Sequence, residues 1–158
     1  MNKMTIPPDQ SGYSVTDGNE VVATKLDGGA SRYRRDILGA TSTVTVQWSV
    51  GPDVYRYLRA FYKTATANGS SPFLIDLLLD EPSLTEHKAY FVPGSMRLQS
   101  QKGLQYVVAA QLEVTPDLPD TAYDEAIVLM YEEYGTDAPA FLNQLEQLAN
   151  VDLPGALY

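Results

Sequence analysis

The 158-residue chain contains no cysteine. Disulfides, thiolate metal sites and cysteine nucleophiles are therefore excluded, and nothing in the chain calls for an oxidising compartment. Histidine is nearly absent too: His87 is the only one. A histidine-dependent hydrolase needs its imidazole beside a nucleophile and an oxyanion hole. His87 instead stands near Glu81 and Glu86 at a strand start, and it reads as a surface or strand-edge residue. No GxSxG, HExxH, P-loop or GxGxxG pattern occurs. The carboxylates Asp76, Asp80, Glu81 and Glu86 lack the regular spacing of a calcium loop. The expectation is a protein without catalytic residues, cofactor or metal, and not an enzyme. No apolar run approaches the roughly 18 residues of a membrane helix. Residues 1–14 lack the apolar core of a signal peptide. The sequence thus reads as soluble and cytosolic, with no membrane partner.

A further absence is local. Residues 116–158 hold nine acids and no lysine or arginine, whereas residues 1–115 hold eleven of each sign. The net charge of −9 therefore sits entirely in the C-terminal segment. Such asymmetry marks a segment with its own surface role. It opposes binding of nucleic acid there, since phosphates require cations.

What is present is mostly β. Residues 1–12, with Pro7-Pro8, read as an extended arm that a neighbouring subunit would tie down. Tyr13–Thr16 and Asn19–Leu26 flank Asp17-Gly18, a favoured hairpin turn. Asp27-Gly28-Gly29 is a second turn, and Ser31–Leu38 continues the meander. In Ala40–Val50 the residues Val44, Val46, Trp48 and Val50 alternate with Thr43, Thr45, Gln47 and Ser49, which is the period of a strand. If Trp48 is buried, its indole N–H needs a partner. Pro52–Ala67 has helical period, with Val54, Tyr57, Leu58, Phe61 and Ala65 on one stripe. Phe73–Leu79, Lys88–Val92, Ser95–Gln101 and Leu104–Thr115 are further strands, the last two joined at Lys102-Gly103. Leu104, Tyr106, Val108, Ala110, Leu112 and Val114 form an inward row. The expected core includes Val46, Trp48, Leu58, Phe61, Phe73, Ile75, Val108 and Leu112.

After the linker Pro116–Pro119, Ala122–Tyr134 and Asp137–Ala149 read as two helices with Thr121 as N-cap. Their apolar residues, Tyr123, Ile127, Met130 and Tyr134 on the first and Phe141, Leu145 and Leu148 on the second, form the seam of a helical hairpin. Helices this short depend on tertiary packing. The organisation expected is an arm (1–12), a β domain (13–117, helix at 52–67) and an acidic helical extension (118–158).

Basic residues cluster twice. Arg32 and Arg34 share a strand face beside Arg35, and Arg56, Arg59 and Lys63 share a helix face. Arginine suits bidentate interface contacts, so Arg32, Arg34, Arg35, Arg56 and Arg59 are candidates for subunit interfaces. The same holds for Tyr123, Ile127, Met130, Tyr134, Phe141 and Leu145. Interleaved acids argue against specific nucleic-acid binding.

One stretch, residues 30–117, resembles minor tail and distal-tail proteins of long-tailed bacteriophages. The shared features are the Trp48-ended strand and the Phe61-Tyr62 pair on a helix. A Gly-x-x-Pro-Phe turn follows (Gly69, Pro72, Phe73), then a Gly-x-x-Tyr hairpin ending in Leu-Glu-Val (Gly103, Tyr106, Leu112–Val114). The resemblance implies a tail-tube-like antiparallel β-sandwich or barrel with one flanking helix. It implies a structural virion protein at the distal end of the tail, assembled in the host cytoplasm. The chain would form a ring with itself, six-fold or else three-fold, between the tail tube protein and the tip or baseplate hub proteins, and DNA could pass through its lumen. The other reading is a tail assembly chaperone or adaptor whose acidic helices cap a basic partner.

Overall fold

The computed structural model describes residues 1–117 and 121–147, apart from the side chains of 145 and 146. The chain divides into two units, Met1–Asp117 and Leu118–Tyr158. It is mainly β, with antiparallel sheets and C-terminal helices.

In the first unit β1 is Ser14–Thr16, β2 Val21–Thr24, β3 Arg32–Arg35 and β4 Ser42–Val50. Helix α1 is Pro52–Ala60. β5 is Phe73–Leu77, β6 Thr85–Phe91, β7 Arg97–Lys102 and β8 Gln105–Val114. The main sheet runs β1-β4-β8-β6-β5, with β7 also on β8. β4 and β8 pair along their whole length, from Ser42 opposite Val114 to Val50 opposite Tyr106. The far side of β8 is shared, by β7 towards its start and by β6 at its end.

Alternation decides which face is core. Val44, Val46 and Trp48 of β4, Phe73, Ile75 and Leu77 of β5, Ala89 and Phe91 of β6, and Val108, Ala110, Leu112 and Val114 of β8 are all buried. Leu58 of α1 covers them, and every residue of the expected core is buried. The inward row of β8 starts later than expected. Leu104 stands in the two-residue turn, 77% exposed, beside Gly103, whose φ of +58° suits the first position of a type II′ loop.

The helix also departs from expectation. After Ala60 the chain widens into a π-helical turn, Phe61–Ala65, closed by Thr66 N–H donating to Phe61 O (3.2 Å). The wider turn lets two consecutive aromatics face inward. Phe61 meets Phe73 edge-on at 5.5 Å, and Tyr62 meets Phe91 edge-on at 5.2 Å. Phe73 and Phe91 stack on each other at 4.7 Å. One aromatic cluster thus ties the helix to β5 and β6.

The expected hairpin at Asp17-Gly18 does not form. β1 joins the main sheet against β4 (Ser14 opposite Thr45), and β2 pairs with β3 in a separate two-stranded ribbon (Val21 opposite Arg35). The local turn preference yields to the nine-residue edge offered by β4. Gly18 instead lets residues 18–20 run against 40–41 at the neck of the ribbon. A Cβ there would lie 2.6 Å from the oxygens of Ala40 and Thr41. The Glu20 carboxylate locks this neck by accepting the N–H groups of Gly39 (2.7 Å) and Ala40 (3.3 Å). Gly18→Ala is expected to cost about 1–3 kcal/mol, because backbone must move to admit the methyl. Urea denaturation measures this, and an unchanged midpoint would show that the neck is looser than its geometry.

The arm is tied to its own domain, with no second subunit needed to order it. Leu74 N–H donates to Asn2 O (2.9 Å) and Met4 N–H to Leu74 O (2.8 Å), so the arm runs parallel to β5. Met4 is buried in the core, and Ile6 O accepts the Trp48 indole N–H at 3.3 Å. Asp9 N–H then donates to Gln47 O on β4, and the Asp9 carboxylate accepts Ser49 N–H at 2.7 Å. Tyr13 hydroxyl bonds both ways with the Leu78 backbone, donating at 2.9 Å and accepting at 3.1 Å. Burial raises its pKa, against the opposing hydrogen bond to Leu78. The arm therefore laces the β5 edge to the β4 edge. Covering sheet edges in this way removes a template for unwanted pairing.

Candidate functional site

Two surfaces gather the residues singled out from the sequence. The first is the β2–β3 ribbon. All eight strand residues are exposed. Register puts Val22, Thr24, Arg32 and Arg34 on one face and Val21, Ala23, Tyr33 and Arg35 on the other. Arg34 Nη2 lies 3.2 Å from Asp36, and Arg35 Nε lies 3.6 Å from Glu20. Arg32 has no ion pair among the described residues. Val22, Leu26, Tyr33, Ile37 and Leu38 are also exposed, Tyr33 by 74%. A lone two-stranded ribbon is marginal in water, and this one touches the remainder of its unit through the Glu20 neck. Arg56 and Arg59 lie apart from it on α1, exposed and half-buried respectively.

The second surface is the helical unit. α2 is Thr121–Tyr134, followed by a single 3₁₀ turn, Gly135–Asp137, and by α3, Ala138–Gln147. Thr121 is the first helical residue of α2, and the position that would cap it lies outside the described residues. Part of the expected seam is present between the helices. Tyr134 and Phe141 stack at 4.8 Å, Ile127, Met130 and Phe141 are half-buried, and Ala138 is fully buried. Tyr123 remains 61% exposed. The Leu145 side chain and Leu148 lie outside the described residues. Sequence reading missed one face of α2. Glu125, Val128, Leu129 and Glu132 fall at i, i+3, i+4 and i+7 and are all exposed. The exterior is thus acidic and apolar together, a pattern visible in the spacing once the seam is subtracted.

Two of the four carboxylates weighed for a metal, Asp76 and Glu86, take another role. Lys3 of the arm reaches Asp76 (3.0 Å) and Glu86 (2.8 Å) across β5 and β6. Its pKa is raised, chiefly by the hydrogen bond to Glu86 and then by that to Asp76. Among the described residues no group of three or more His, Asp or Glu is gathered as for a metal ion. His87 proves to be a core residue, not a surface one. It lies on the inward row of β6 opposite Ile75, with Nε2 2.8 Å from the Thr85 hydroxyl and Nδ1 buried without a hydrogen-bond partner among the described residues. The acids flanking it in sequence had suggested solvent, whereas the period of β6 decides its side. An unsatisfied buried nitrogen costs about 1–3 kcal/mol. His87→Leu is therefore expected to raise stability by about 1 kcal/mol, and a lower denaturation midpoint would show that Nδ1 has a partner.

Among the described residues no helix is long and apolar enough to cross a membrane. No protein-family model matches the chain, and no curated protein matches it.

Proposed function

We propose that the protein is a structural subunit of a bacteriophage tail, forming a ring at the distal end that joins the tail tube to the tip or baseplate. The observation that carries this reading is the β2–β3 ribbon. It projects three arginines and several large apolar side chains from a unit whose core is otherwise complete. Exposed apolar surface rimmed with charge is what a subunit interface requires. The tail-tube-like character, the six-fold order and the neighbours above and below rest on the resemblance of residues 30–117. The buried Trp48 strand, the Phe61-Tyr62 helix and the Gly103 hairpin are compatible with it.

Mass measurement and negative-stain imaging of the purified chain test the proposal. A closed ring is expected, alone or on addition of tail tube protein. Arg32→Ala/Arg34→Ala/Arg35→Ala is expected to abolish ring formation while leaving the near-ultraviolet signal of Trp48 intact. A chain that stays monomeric, yet binds one tail protein tightly, would favour the adaptor reading. A triple variant that assembles like the native chain would remove the arginines from the interface.

A further inference from the structure

We infer that the basic β2–β3 ribbon of one copy docks on the acidic face of α2 in a second copy. This rests on the self-assembly part of the function proposed above and names the contact that makes it.

Each surface is incomplete alone. The strand residues of the ribbon are exposed on both faces, and on one of them Val22, 44% exposed, stands directly opposite Arg34, with Thr24 next along the strand opposite Arg32. The α2 face sets Val128 and Leu129, 57% and 63% exposed, between Glu125 and Glu132. Among the described residues neither acid is in an ion pair. One surface therefore presents an aliphatic beside two arginines, and the other presents aliphatics bracketed by carboxylates. Docking them would bury both apolar centres and pair the rims, the usual anatomy of a specific interface.

The charge distribution points to the same partner. Residues 116–158 have no cation of their own, so any salt bridge made by α2 draws its cation from elsewhere. A copy that gives its ribbon to one neighbour and its α2 face to another makes a heterologous, head-to-tail contact. Such contacts generate closed rings when the rotation closes. A self-complementary pair of ribbons would instead set arginine against arginine.

A charge swap tests the contact on the full chain. One variant carries Arg32→Glu and Arg34→Glu, and the other carries Glu125→Arg and Glu132→Arg. Each variant alone then has like charges on both surfaces. Each is expected to associate at least about tenfold more weakly than the native chain by sedimentation. The two mixed in equal amounts present opposite charges again, and association is expected to return. Trp48 near-ultraviolet dichroism confirms that both variants are folded. Assembly of either variant at native affinity overturns the inference, as does failure of the mixture to associate. If the native chain forms rings but is indifferent to the swap, the contact fails while the ring reading stands. If the native chain is monomeric at all concentrations, both fail.

Discussion

Deleting residues 1–8 is expected to collapse the β domain, as a fall in the urea midpoint large enough to leave much of the chain unfolded at 37 °C. Met4 is buried at 2% exposure, and losing such a side chain from a core costs about 2–5 kcal/mol. The deletion also removes the Ile6 carbonyl that receives the Trp48 indole N–H, which strands a buried donor at about 1–3 kcal/mol. The backbone bonds that cover β5 go with it. Met4→Ala separates these effects, since it removes the side chain and keeps the bonds. The single variant is expected to lose about half of what the deletion loses. Urea denaturation followed by Trp48 fluorescence measures both. A deletion that melts like the full chain would show that the arm lies loosely on the sheet.

The second large effect is expected from Phe73→Ala, at about 3–5 kcal/mol. Phe73 is wholly buried at the centre of the aromatic cluster, edge-on to Phe61 and stacked on Phe91. Removing it opens a cavity between the π-helical turn and two strands, and rigid neighbours cannot close it. Phe73→Leu keeps most of the volume and is expected to cost much less, about 1–1.5 kcal/mol. Equal losses for the two variants in chemical denaturation would mean that aromatic geometry, not volume, holds this corner.

These two sites show what the sequence made legible. Trp48 was plain from alternation, because a period of two leaves a strand only one way to face, whereas Phe73–Leu79 is apolar on both faces except for Asp76 and was legible only as a covered strand. The ribbon arginines were legible as a cluster from alternation too, and the part of the seam at Ile127, Met130, Tyr134 and Phe141 followed from helical spacing. The role of the arm was not. Its residues carry no period, and its partners, Leu74 and Gln47, are distant in sequence. The Asp17-Gly18 turn was misread because turn preference is local, while the pairing of β1 with β4 is a long-range gain that overrides it. The π-helical turn was invisible for a similar reason, since its cause is the position of Phe73 and Phe91 on other strands. His87 was placed by its charged neighbours when its strand parity was the better guide.

The lacing of the arm carries a consequence for how the chain is made. Residues 2–4 leave the ribosome long before Leu74, the residue they must bond. They are synthesised before their partners and fastened late, after β5 and β6 have emerged. Until then one border of the nascent sheet stands open, and contacts so remote along the chain form slowly. A growing polypeptide with an open strand is most prone to pair with the wrong neighbour. A bulky tag fused ahead of Met1 would burden that late step, whereas the same tag elsewhere would leave it free.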